Sequence, residues 1–145
     1  MSASIKTQIV ARLFAVLEPL KQADPPLRKI TRRTGFFIEE IVPSLDVIIG
    51  DEEVQEQEDM PGYEIEFPVF LKLNLAGSDI PTQAEQWEAA IQTVIETDAQ
   101  LAGLANWIKY KGNHPFTNEA SPDGGSIPHY IIAYRRQRAQ PAASY

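Results

Sequence analysis

An α+β fold is what this sequence predicts: a central, mainly antiparallel sheet flanked by helices, in a single domain. Three observations carry that expectation. Tyr63, Ile65, Phe67, Val69, Leu71, Leu73 and Leu75 fall on every second position, with Glu64, Glu66, Pro68, Phe70, Lys72, Asn74 and Ala76 between them. Successive side chains of a strand point to opposite faces, so this run makes one long strand with one apolar face. Apolar stripes at helical spacing lie on both sides of it, and such a sheet face needs a helical cover. The chain has 145 residues, 43% of them hydrophobic, which suits one core.

The elements follow in order. Residues 4–18 read as a helix that Ser4 can cap, with Ile5, Ile9, Leu13, Val16, Leu17 and Leu20 as its stripe. Pro19 marks its end, because proline removes a donor and crowds the preceding turn. Asp24-Pro25-Pro26 is a stiff connection. A short strand is expected over 36–42 and another over 45–49, ended by Gly50. The run 51–59 holds six carboxylates in nine positions, so it should be an exposed loop or hairpin tip. Pro61-Gly62 turns the chain into the long strand, which closes at Gly77. Thr82 with Glu85 has the form of a capping box. It opens a helix whose Trp87, Ala90, Ile91, Val94 and Ile95 should face the sheet, with Trp87, Ile91 and Val94 buried. Asp98 can cap a further turn through Leu101, with Gly103 as a stop or kink. Residues 112–126 are rich in Gly, Asn, Pro, Ser and Asp and read as a loop, mobile over 121–126. A final strand runs over 127–136, and residues 139–145 form a flexible tail.

Composition narrows the function. There are no cysteines, which excludes a disulfide scaffold, a thiolate metal site and a cysteine nucleophile. No apolar run reaches transmembrane length, so no membrane is expected and the chain should be made in the cytoplasm. The formal net charge of −7 is unevenly spread. Residues 1–33 carry +5, residues 34–108 carry −15 and residues 109–145 carry +3. One reading is a solvated acidic face that keeps the protein soluble. The other is a surface that repels polyanions beside one that seeks an acidic partner.

No catalytic constellation stands out. His114 and His129 each sit beside a proline, and neither has a second histidine at metal-ligand spacing. Asp51, Glu52, Glu53, Glu56, Glu58 and Asp59 resemble a calcium loop in composition only, since the flanking segments read as strands. Asp123-Gly124-Gly125 precedes a strand, not a helix, and reads as a turn rather than a phosphate cradle. No cofactor or metal site is therefore expected. The basic residues Arg135, Arg136 and Arg138, with Arg32 and Arg33 after the first helix, are the candidate interface. An isoelectric point near 4.8 and the lack of interleaved aromatics favour acidic protein over nucleic acid as their partner.

Three phrases carry a resemblance. They are Pro43-Ser44-Leu45-Asp46-Val47-Ile48-Ile49-Gly50-Asp51-Glu52-Glu53, then Thr97-Asp98-Ala99-Gln100-Leu101-Ala102-Gly103-Leu104-Ala105, and last Tyr130-Ile131-Ile132-Ala133-Tyr134-Arg135-Arg136. With the order of elements, they resemble the tail terminator, or minor tail, proteins of long-tailed phages. The resemblance runs from the first helix to Pro141. It implies a hexameric ring in the virion, seated on the head-proximal end of the tail tube. The ring would stop tube growth and present a surface to the head-side connector or stopper. Its partners would be other copies of itself, the tail tube protein and that connector, with genomic DNA passing through unbound. No enzyme activity is implied. Another head–tail connector (a stopper or adaptor), a small ligand-binding or regulatory α+β domain, and an enzyme built on His129 are the competing readings.

Overall fold

The computed structural model describes residues 4–22, 26–32, 43–55, 62–117 and 124–137. Helix α1 spans Ile5–Leu17 and continues into a 3-10 turn at Glu18–Gln22. Ser4 accepts a hydrogen bond from the Thr7 amide, which satisfies one of the amides a helix start leaves unpaired. Pro19 falls inside the tighter turn, where the α-helical ladder has already ended.

Among the described residues six strands follow: β1 (Lys29–Arg32), β2 (Ser44–Ile49), β3 (Glu53–Gln55), β4 (Gly62–Leu75), β5 (Trp107–Thr117) and β6 (Gly124–Gln137). Helices α2 (Ile80–Glu96) and α3 (Ala99–Leu104) lie between β4 and β5. The sheet order is β1-β2-β4-β6-β5, with β3 also paired to β4. Every pairing is antiparallel except β1 with β2. The predicted α+β fold with a mainly antiparallel sheet is therefore the observed one.

Strand β4 is the spine. Ile65, Phe67, Val69, Leu71, Leu73 and Leu75 are all buried, and the residues between them are half-buried. Opposite partners share a face, so Tyr130, Ile132 and Tyr134 of β6 and Leu45 and Val47 of β2 join the same layer. Ile9, Leu13, Leu17, Ala84, Trp87, Ile91, Ile95 and Leu101 complete the core from the helices. All three helices thus cover one face. The other face carries Ile48, Pro68, Phe70, Ile127, His129 and Ile131, all partly exposed.

A proline in a central strand costs a ladder donor. Here the Pro68 carbonyl accepts from the Gly50 amide, so the nitrogen of Pro68 points to that same side. There β2 has ended and β3 has not begun, and the bond that Pro68 cannot make falls into this gap. Gly50 is required because a Cβ would run into the Pro68 ring. At Gly125, with φ +157°, a Cβ would run into the carbonyl of Leu73.

Several expectations are corrected. The capping box at Thr82 and Glu85 does not form. The helix begins earlier, at Ile80, since Pro81 is compatible with a first turn. Asp79 precedes it with φ 56° and no side-chain cap. The Gln83 side chain instead donates to the carbonyls of Ala76 and Ser78 and pins the incoming loop. Val94 is half-buried rather than buried, and Ala84 takes a core position. Asp98 does cap α3, accepting from the Leu101 amide at 2.7 Å, but Gly103 lies within that helix. Of the loop expected over 112–126, residues 112–117 are instead the C-terminal half of β5 and 124–126 the start of β6, while 118–123 lie outside the described residues. The strand expected over 36–42, the turn residue Pro61, positions 121–123 and the tail 139–145 lie outside the described residues.

Candidate functional site: charged sheet edges

The described residues of the acidic run form the Asp51–Glu52 approach and strand β3. Asp51, Glu52, Glu53 and Val54 are exposed, and β3 pairs with β4 as a hairpin arm. Glu56, Glu58 and Asp59 lie outside the described residues. Within the described part of the run, Glu53–Gln55 is a strand. Glu53 is directly opposite Glu66, and Gln55 opposite Glu64. Opposed like charges destabilise a strand pair, so this corner favours a cationic partner.

The arginines divide. Arg135 and Arg136 are exposed at the end of β6, opposite Glu64 and Tyr63. Arg32 ends β1 at the level of Val47, with β2 and β4 between it and β6. The sheet therefore does not bring Arg32 together with Arg135. Arg33 and Arg138 lie outside the described residues.

The positive edge that sequence reasoning missed is β5. It exposes Lys109, Lys111 and His114 and carries no acidic residue. A lysine pair, a bulge between Tyr110 and Gly112, and Pro115 are features that blunt an edge strand. The signal was present in Trp107, Ile108, Tyr110 and Phe116. Gly112, Asn113 and Pro115 concealed it, because only an edge strand tolerates them so densely.

Several carboxylates beside the sheet are struts between segments. Asp98 is gripped by Arg12 of α1, at 2.6 Å from Nη2 and 2.9 Å from Nε. Those bonds, with the Leu101 amide, outweigh burial and hold its carboxyl down at about 2. Glu88 of α2 accepts from Asn113 of β5 and from Ser126 of β6, at 2.8 and 2.7 Å. Glu64 accepts from Asn106 at 2.7 Å and the Trp107 indole at 2.9 Å. Glu52 accepts from the Tyr134 hydroxyl at 2.8 Å, and Lys6 of α1 lies 3.7 Å away. Burial first, then this contact with Glu52, pushes the Tyr134 phenol up to about 12. Asp46, 5% exposed, accepts from Asn74 across the β2–β4 pair.

The two histidines lie in different surroundings. His129 is stacked on Phe70, with ring centroids 4.4 Å apart, and its buried Nε2 has no partner. Burial, aided by Lys111, favours its neutral form. His114 is exposed on β5 opposite Ile127. Among the described residues no three of His, Asp and Glu gather as a metal site, and no helix is long and apolar enough to cross a membrane.

Comparison with protein-family models and with curated protein sequences finds no match. The solved structures that match include a chain that aligns over 92% of this protein and 98% of its own length, at 15% identity and a TM-score of 0.50. At that identity the likeness is one of fold.

Proposed function

We propose that this protein is a tail terminator of a long-tailed phage. In this reading it is a structural subunit that forms a ring on the tail tube, ends tube growth and offers the head-joining surface. It acts as part of the virion, on the head-proximal end of the tail. Its partners are other copies of itself, the tube protein and a head-side connector, and DNA passes without being held.

The carrying observation is the use of the carboxylates. Asp98, Glu88, Glu64 and Glu52 each tie a helix, a strand or its flanking residue to an element that is distant in sequence. Groups committed to such ties favour a fixed shape over proton transfer, which needs a group within reach of a substrate. The three sequence phrases that resemble the terminator family, and the separation of acidic from basic edges, point the same way. A ring contact joins two different patches of one subunit, and oppositely charged edges suit it. An acidic middle segment also keeps phosphate contacts from retaining passing DNA.

Labelling of the protein on purified tails tests this. One ring's worth of subunits at the head-proximal end is expected. Label along the whole tube, on the capsid, or on no virion part would overturn the reading.

A further inference from the structure

We infer that β3 of one subunit pairs with β5 of the next, so that the sheet continues from copy to copy. This rests on the self-assembly within the proposed function but not on any role in a tail. Along the sheet row Glu53–Glu66–Ala133–Trp107 the strand order is β3-β4-β6-β5, and from that row β5 runs toward the other end of the sheet. Strands β3 and β5 are thus its opposite edges there, and among the described residues neither has a second partner strand.

Three features match across these edges. The first is apolar. Val54 at 49% and Tyr110 at 41% are the exposed large hydrophobics among the described residues, and one lies on each edge. Val54 pairs with Ile65 and Tyr110 with Tyr130, both of which face the helices. In a continued sheet the two exposed side chains therefore share that face.

The second is charge. Strands β3 and β4 run antiparallel, as do β4 and β6, and β6 and β5. A head-to-tail neighbour consequently meets β3 antiparallel to its β5. Setting Val54 opposite Tyr110 puts Glu53 beside Lys111 and Gln55 beside Lys109. The glutamate opposed internally by Glu66 then gains a cation.

The third is geometry. The register carries Val54 through Ile65 and Tyr134 to the level of Asn106. Tyr110 lies four residues further along β5. Each subunit would therefore contribute four strands and a stagger of four residues. Shear equal to strand number is the relation found in closed eight-stranded barrels, where strands tilt by about 36°. The stagger also draws β5 back by four residues, so that only its last residue, Thr117, reaches the level of the neighbour's Arg32, which ends β1 in the row of Val47 and Leu71. The lysines, bulge and proline of β5 leave only a short stretch open, which limits pairing to a matching acidic edge.

The absence of native cysteines makes disulfide trapping specific. Val54→Cys and Tyr110→Cys proteins, each checked for folding by circular dichroism, are mixed at low salt under mild oxidation. Facing positions in an antiparallel pair lie within disulfide reach. The expected product is the mixed Val54→Cys–Tyr110→Cys adduct, with neither variant linking to itself. Self-linked products alone, or no adduct, would overturn the pairing. In a second arm, Glu53→Lys and Lys111→Glu should each shift the protein toward monomer on size-exclusion chromatography. The double variant should restore association, and failure to restore it would count against the contact. A mixed adduct from a protein whose loss leaves tails normal would keep the edge pairing and discard the tail role. Controlled tails without the adduct would do the reverse.

Discussion

At the scale of single residues, polar side chains hold this fold in register. The Arg12–Asp98 pair joins α1 to the start of α3, and the same carboxylate caps α3. The folded carboxyl titrates at about 2, whereas a free aspartate titrates at about 3.9. Between those values the unfolded chain binds more protons, so stability falls as the medium is acidified. The contribution is complete above the unfolded value and is lost as pH falls through about 2. Asp98→Asn should therefore flatten the dependence of stability on pH across that window, as read by denaturant unfolding at a series of pH values. An unchanged slope would remove Asp98 from the account. The cap at Asp98 was legible in the sequence because an aspartate before a short helix needs only local geometry. The grip of Arg12 was not, since it joins residues 86 positions apart.

At the scale of elements, periodicity was the most legible signal. The alternation in β4 appears as read, and so does the stripe of α2 at Trp87, Ile91 and Ile95 though not at Val94, because one buried face selects one register. Ile91 is fully buried and Val94 only partly. Ile91→Ala should cost about 2–5 kcal/mol, and Val94→Ala distinctly less, in equilibrium unfolding. Equal losses would show that the inward face of α2 has been misassigned. The capping box failed because the chain enters α2 through Gly77 and a left-handed Asp79, which starts the helix before Thr82. Strand β5 was hidden for a different reason. Its turn-forming residues are compatible with an edge, and edge position is a property of the sheet order rather than of the segment.

At the scale of the whole molecule, charge segregation is written in the sequence, but its arrangement is not. Arg32 and Arg135 look like one basic group in composition and are parted by two strands. Lys109 and Lys111 look incidental and form an edge. Exposed charges of this kind act through association and are screened by salt. Reversing Arg135 and Arg136 to glutamate should weaken subunit or tube contacts without unfolding the protein, since both are exposed. Raised salt should do the same to the wild type, as measured by sedimentation. Association indifferent to both would place the contacts elsewhere.

The structural role itself is tested most directly by electron microscopy of phage tails assembled with and without this protein. A terminator predicts tails of uncontrolled length, or tails that fail to join heads, when it is missing. Tails of normal length in infectious particles would contradict it.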